Sequence, residues 1–411
     1  MSIPKTKIRV GTGAGFSDDR IDPAVDLAER ADVDYLVFEC LAERTIAREN
    51  LTRLKDPEKG YTPYLAERFQ AVLPACVKNK IRIVTNMGAA NPAAAARAVR
   101  REAQALGIHD LPVAVVTGDD VADIVRNNPQ LPLMEDGSPV EALIPRMASA
   151  NVYLGADVIR DGLATGAPVV MTGRVADPAL FLGSMMHGLG WRYDDYSKLA
   201  VGTLAGHMME CAAQLTGGCF VDPGKKDCDD PITPGFPFAD ITADGALTLG
   251  KLDDSGGRLD VQTCTEQVLY EMLNPTSYIT PDCVLDITDV EFKQTAKCRV
   301  QVTGAKARPR TPTYKVVVGY HDGYIGEGEV GYARYQIEHE DILLEPGVAF
   351  SMVKKLLALM LCAMSAAASS AILGVAIMRV SIPARRLSPG LMLSPRPLSR
   401  TSRILARTLI E

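Results

Sequence analysis

Short apolar or alternating runs, bounded by Gly, Asn and Asp, recur through the first half of the chain. Ile8-Arg-Val10, Tyr35-Leu-Val-Phe38, Ile81-Arg-Ile-Val-Thr85, Pro112-Val-Ala-Val-Val116 and Pro168-Val-Val-Met171 read as strands. Between them apolar residues fall at three- and four-residue spacing. This predicts helices over about 23–31, 41–47, 61–78, 92–106 and 156–165. Pro23 just after Asp22 marks a helix start. Strand–helix alternation of this kind predicts an α/β fold with a mainly parallel sheet.

The pattern changes after Gly218. Residues 221–265 are rich in Asp, Gly and Pro, with an alternating hairpin around Asp244-Gly245. A helix is expected over 265–273, then strands over 284–290, 297–302 and 315–319 in an antiparallel meander. Residues 1–220 are therefore read as an α/β part and 221–335 as an α+β part of the same domain. Residues 336–411 form a divergent tail, with a helix at about 352–378 and disorder beyond it.

Three successive strands end in small polar turns. The first runs into Gly11-Thr-Gly-Ala-Gly15, the second ends at Glu39, and the third ends at Asn86-Met-Gly-Ala-Ala-Asn91. The next strand ends at Thr117-Gly118-Asp119. Ligands of parallel α/β sheets bind beyond the carboxyl ends of the strands. Gly13, Glu39, Asn86, Gly88, Asn91, Gly118 and Asp119 are thus consistent with one shared site, the glycine amides, Gly15 among them, holding a phosphate or carboxylate. Taken singly, each is ordinary turn chemistry. The G-x-G-x-G spacing departs from the G-x-G-x-x-G of dinucleotide-binding loops.

Two further stretches carry chemistry. In Gly173-Arg-Val-Ala-Asp177, Arg174 can fork a carboxylate or phosphate, and Asp177 can orient it or take a proton. The alternative is an Arg–Asp pair that pins a loop. In the stretch from Gly202 to Gly218, His207, Glu210, Cys211 and Gln214 share one face of an expected helix that ends at Gly217-Gly218. That pattern fits a site with an acid/base histidine and backbone donors. A buried His and Cys on a packed helix is the plainer alternative, and Cys211 as a nucleophile is a third.

Composition narrows the classes. A net charge of −6 gives no general attraction to nucleic acid. Nine cysteines without a C-x-x-C pair, and no secretory h-region near the start, point to reduced thiols in a cytoplasm. Five histidines without an H-x-x-x-H pair argue against tightly bound zinc, while Mg2+ on carboxylates stays open. Residues 346–410 contain no Asp or Glu. Residues 356–378 are uncharged and long enough to span a bilayer, yet rich in Ala, Ser and Met. A membrane anchor, a buried helix and an out-of-frame or divergent terminus compete there, and the last is preferred.

The chain resembles the acyclic terpene utilisation protein A family. The resemblance rests on Val10-Gly-Thr-Gly-Ala-Gly-Phe-Ser-Asp-Asp-Arg-Ile21, Tyr35-Leu-Val-Phe-Glu-Cys-Leu-Ala-Glu-Arg-Thr45 and Thr85-Asn-Met-Gly-Ala-Ala-Asn-Pro92. Gly173-Arg-Val-Ala-Asp-Pro-Ala179, Gly202-Thr-Leu-Ala-Gly-His207, Thr216-Gly-Gly218 and Gly323-Tyr-Ile-Gly-Glu-Gly-Glu329 extend it from residue 8 to about 330. It implies bacterial catabolism of acyclic terpenoids or branched acids as CoA thioesters, often beside acyl-CoA carboxylases. It carries over no catalytic residue.

The residues on offer suit proton transfer of lyase or hydratase type on an acyl-CoA or small carboxylic acid. His207 would act with Glu210 or Glu39, Arg174 would hold an acid or phosphate, and Gly13, Gly88, Gly217 and Gly218 would supply backbone donors. A non-catalytic accessory protein of a carboxylase is one alternative. Hydrolysis assisted by a metal on His207, Glu210, Asp177 and Asp119 is another. A carboxylase or a second copy of the chain would be the partner.

Overall fold

Side chains of the central strands point to opposite faces in turn, and two separate apolar layers result. In the computed structural model, which describes residues 4–222, 224–328, 376–380 and 400–410, the elements run as follows. The first half comprises β1 (Lys7–Ala14), α1 (Asp22–Arg30), β2 (Tyr35–Phe38), α2 (Glu43–Lys55), α3 (Leu65–Asn79), β3 (Arg82–Thr85), α4 (Pro92–Ala105), β4 (Val113–Val115) and α5 (Ala122–Asn127). Then come β5 (Met147–Val152), α6 (Ala156–Ala164), β6 (Val169–Met171), α7 (Asp177–Leu189) and α8 (Tyr196–Met209). The remainder comprises β7 (Phe238–Thr242), β8 (Leu247–Gly250), α9 (Val261–Leu269), β9 (Tyr278–Ile279), β10 (Cys283–Asp286), β11 (Glu291–Ala296), β12 (Arg299–Thr303), β13 (Lys306–Pro309) and β14 (Lys315–Gly328).

The fold is α/β. One nine-stranded sheet has the order β11-β12-β8-β7-β1-β2-β3-β6-β4. From β1 to β4 its pairings are parallel; β7 joins β1 antiparallel, and β8, β12 and β11 continue in that sense. Tyr35, Val37 and Val84 enter the layer under α6, α7 and α8, while Leu36, Phe38 and Ile83 enter the layer under α1, α3 and α4. Helix α7 is buried almost all round, as its apolar sequence demands.

The expected meander is corrected. The three C-terminal runs go to three different sheets: β12 extends the main sheet, β10 sits between β9 and β13, and β14 pairs with β5. Alternation fixes which face a strand buries but not which neighbour it finds.

The chain divides into two units, residues 1–320 with 406–411 and residues 321–405. In the second, Tyr324–Gly328 of β14 pairs in parallel with β15 (Ala376–Val380). Arg400–Ile410 is a further strand, β16. Of the helix expected at 352–378, residues 352–375 lie outside the described residues, as does most of the uncharged run. Among the described residues, no helix is long and apolar enough to cross a membrane.

Candidate functional site

A cavity of about 470 Å³ opens beyond the carboxyl ends of the parallel strands. Gly15 after β1, Glu39 and Glu43 after β2, and Asp177 after β6 line it; of the residues expected to share one strand-end site, Glu39 and Gly15 do so. Glu210 and Cys211 close it from the end of α8, and Tyr153, Tyr270, Glu271, Tyr278, Tyr314 and Lys315 complete the wall.

Glu39 is buried, with Oε1 accepting from Leu41 N (2.9 Å) and Asn86 Nδ2 (2.7 Å). Asn86 is itself locked by Cys40 N, which donates to its Oδ1 at 2.7 Å. Burial first, then the charge of Asp177, pushes the Glu39 carboxyl up to about 8, against the pull of Arg174. Asn86 therefore orients Glu39 and does not itself line the cavity.

Arg174 lies behind the wall. Its side chain is fully buried and donates to the Leu41 carbonyl and to Asp177, and its guanidinium stands 4.1 Å over the Tyr153 ring. Its backbone N–H donates to Asp119 Oδ2 at 2.8 Å, and Asn151 Nδ2 donates to the same oxygen at 3.0 Å. Both terminal nitrogens are thus taken by protein groups, as the loop-pinning alternative expects, while Nε is buried with no hydrogen-bond partner among the described residues; Arg174 does not line the cavity, where the expectation had it clamp a ligand. The cation on the cavity wall is Lys315, an exposed residue with Nζ 3.7 Å from Glu43 and 4.6 Å from the centre of the Tyr153 ring.

Glu43 is held in the opposite sense to Glu39. Burial alone would raise it, but Arg174, the Tyr153 hydroxyl that donates to it and Lys315 outweigh burial and hold it below the usual carboxylate range. Asp177 is raised by burial despite Arg174. Glu210 is raised well above its ordinary value by burial, then by Asp177 and Glu271.

Helix α8 ends earlier than expected. It stops at Met209, Ala212 takes a left-handed backbone (φ 45°), and a short 3-10 turn, Ala212–Gln214, follows. His207 and Glu210 remain one turn apart, with Nδ1 3.3 Å from Oε1, but Cys211 and Gln214 leave that face. His207 is buried, does not line the cavity, and has Nε2 3.3 Å from the Val268 carbonyl. Burial pushes its imidazole down. The Cys211 thiol is pushed up, first by burial and then by Glu210, which suits no nucleophile.

The expected glycine donors are not gathered here. Gly11 and Gly13 lie inside β1, where a Cβ on Gly13 would stand 2.5 Å from the Phe38 ring. Gly15 lines the cavity, but its N–H donates to Asp19 Oδ2 at 2.9 Å. Gly88 packs against the Thr172 carbonyl, and Asn91 caps α4 and holds the carbonyls of Pro57 and Lys59. Gly118 is an exposed turn residue off the cavity. The N–H groups of Gly217 and Gly218 donate to Gln214 O (3.3 Å) and Ala213 O (2.7 Å) within their own turn.

Arg68 was not singled out in the sequence. It is fully buried and donates to the carbonyls of Ser17 (2.6 Å) and Asp19 (2.8 Å), so it sets the loop that follows β1. Tyr153 and Tyr278 were also missed. They arrive just after β5 and on β9, whose placement depends on long-range pairing. Among the described residues, no group of three or more His, Cys, Asp or Glu is arranged to hold a metal ion.

The cavity therefore offers one carboxyl, Glu43, whose surroundings lower its proton affinity beside a tyrosine and a lysine, and three, Glu39, Asp177 and Glu210, whose surroundings raise it. A family model described as acyclic terpene utilisation family protein AtuA matches residues 8–365, some way past the last motif quoted above. No curated protein and no solved structure matches the chain.

Proposed function

The chain belongs to the acyclic terpene utilisation family AtuA, and from its cavity we propose an enzyme that moves a proton on an acyl-CoA or small carboxylic acid, in a lyase or hydratase type of reaction. Such a reaction fits breakdown of acyclic terpenoids or branched acids. Glu43 acts as base and Glu210 as acid, with His207 behind Glu210. Glu39 serves as a neutral donor to a carbonyl, while Asp177 stays paired with Arg174. Lys315 meets a negative group of the ligand at the wall.

One observation carries this reading: two carboxyls of one cavity, Glu43 and Glu210, are pushed in opposite directions by their surroundings. Carboxyls whose environments separate their proton affinities are how a site runs acid and base chemistry at one pH. The protonated members can donate to a developing oxyanion, a role that the occupied glycine amides do not fill.

The test is deuterium exchange. The purified full chain is incubated in D2O with branched acyl-CoA esters and the matching free acids, and the acyl chains are weighed by mass spectrometry. Exchange or conversion is expected, with Glu43→Gln and Glu210→Gln each slower by on the order of 10²–10⁴. No exchange with any of these compounds sinks the enzymatic reading and favours the accessory role beside a carboxylase.

A further inference from the structure

A second hollow, of about 540 Å³, is lined by Trp191, Tyr193 and Tyr196 together with Arg160, Arg192 and Asp194. Arg310 joins it to the cavity described above. Its guanidinium stands 5.8 Å from the centre of the Tyr193 ring, on the hollow, and 5.6 Å from that of Tyr314, on the cavity wall. Its Nη1 donates to the Tyr314 hydroxyl at 2.8 Å and to the Pro281 carbonyl at 3.4 Å. The Tyr193 hydroxyl donates to Asp282 at 2.8 Å and lies 3.4 Å from the same Pro281 carbonyl. Pro281 also lines the cavity, so the two spaces adjoin at Arg310.

The charge here runs against that of the whole chain. Residues 292–321 hold seven Lys and Arg and no Asp or Glu, in a chain of net charge −6. Lys306 and Lys315 face Asp289 and Glu43. Among the described residues no carboxylate forms an ion pair with Arg308 or Arg310, and both are exposed. Arg308 donates to the Thr276 carbonyl and the Ser277 hydroxyl, just before the cavity wall at 278–281. The charge of Asp157 acts on Arg310, but from beyond ion-pair distance. An exposed guanidinium between two aromatic rings, without an acid of its own, suits an anion that carries a flat group. In the hollow, Arg160 pairs with Asp161 and Arg192 with Asp194, at the surface. Such exposed pairs contribute little and yield to a competing anion.

We propose that the hollow and Arg310 bind a nucleotide handle. Its base rests against the aromatic side chains of the hollow, its phosphates meet Arg310 and Arg192, and the arm it carries runs past Pro281 and Tyr314 into the cavity. Aromatic rings take a base by its flat face, and guanidinium groups take phosphate by paired hydrogen bonds. Of the ligands considered above, the acyl-CoA has such a handle, an adenosine phosphate on a long arm that ends in the thioester, and the free acid has none. The choice of a CoA ester rests on the function proposed above; the nucleotide site does not. Contacts so far from Glu43 and Glu210 would hold the thioester in place for them.

The test is calorimetric titration of the full chain with adenosine 3′,5′-bisphosphate, which has the base and phosphates without the arm, and with isovaleryl-CoA. Both are expected to bind. Arg310→Gln and Arg192→Glu should each weaken both by on the order of tenfold, the worth of a hydrogen bond to a charged group. Arg126→Gln removes a surface arginine of α5 that lines neither space, and should leave both affinities as they are. Wild-type affinity should fall as salt rises, and fall less steeply in Arg310→Gln. A weaker variant with the full salt dependence would show that Arg310 only props Tyr314, and would overturn its contact with phosphate. Arg192→Glu leaves Tyr314 alone, so it keeps the test sharp if Arg310→Gln disturbs the mouth.

The outcomes separate the site from the reaction. Isovaleryl-CoA binding that neither variant weakens, or a bisphosphate that does not bind, overturns the site and leaves the acyl-CoA reading standing. Nucleotide binding without deuterium exchange on any ester or acid sinks the enzymatic reading and leaves the site. Binding of neither compound overturns the site, and exchange on the free acids then decides the catalytic reading alone.

Discussion

The backbones of Gly15 and Cys211 are in contact: a Cβ on Gly15 would stand 2.5 Å from the Cys211 carbonyl carbon and 2.9 Å from Ala212 N. This is where the end of β1 meets the end of α8, and at the same joint Ala212 takes a left-handed backbone. Gly15→Ala must push these backbones apart, and backbone does not yield as a flexible side chain does. A loss of about 1–3 kcal/mol is expected in urea unfolding. The exchange reaction should fall as well, since Glu210 shifts with the joint. A variant as stable and active as the wild type would show that the joint is loose.

Arg174 holds the floor of the cavity. Its guanidinium serves the Leu41 carbonyl and Asp177 while lying over Tyr153. Replacing it by Met leaves the buried Leu41 carbonyl without its donor and takes the partner from Asp177, whose side chain is partly exposed. An unmet buried acceptor costs about 1–3 kcal/mol, so Arg174→Met should unfold at lower urea. Arg174→Lys keeps the charge but cannot fork to both partners, and should fall between. A small effect in both variants would mean that water reaches this floor.

Much of this could be read along the chain. The strand ends at Glu39 and Asp177 are local features, since a short apolar run followed by an acid in a turn marks a strand end whatever the rest does. The family motifs lie on the same turns. The roles were harder. Arg174 and Asp177 are three apart, and spacing cannot tell a ligand clamp from a loop pin; the Leu41 carbonyl, brought by β2, decides it. The early end of α8 lies against Gly15, far away in sequence, a contact that local spacing does not reveal. Tyr153 and Lys315 come together because β5 pairs with β14, a pairing that no local pattern specifies.

Glu39 should make stability fall as pH rises. In the unfolded chain it titrates near its ordinary value of 4.5, and in the fold near 8. Between these values the unfolded chain releases the proton and the folded chain keeps it. The unfolded state therefore gains, at up to about 1.4 kcal/mol per pH unit. Below that window both states hold the proton, and above it both have lost it. Glu39→Gln keeps the neutral shape and should flatten the decline between about pH 5 and about pH 8. Asp177 and Glu210 are raised in the same sense, so some slope remains. An unchanged slope in urea unfolding across that range would assign the effect elsewhere.

Cys211 should be slow to alkylate although it lines the cavity, because burial and the neighbouring Glu210 disfavour its thiolate. Cys219 is exposed. Brief treatment of the native chain with iodoacetamide, followed by peptide mass spectrometry, should find Cys219 modified well before Cys211. Faster modification of Cys211 would restore it as a candidate nucleophile.

Tyr153 makes two contributions that one substitution separates. Its hydroxyl donates to Glu43, and its ring supports the cations of Arg174 and Lys315. Tyr153→Phe removes the first and keeps the second. A hydrogen bond to the ionised carboxylate favours that form, so its loss lets the Glu43 carboxyl rise. If Glu43 is the base, the acid side of the exchange profile should move to higher pH, while the rate well above that limb changes little. Stability should drop by only about 1 kcal/mol, the usual worth of one hydrogen bond. An acid limb that stays in place while the whole profile sinks would mean that the hydroxyl touches the ligand, and that another group sets the limb.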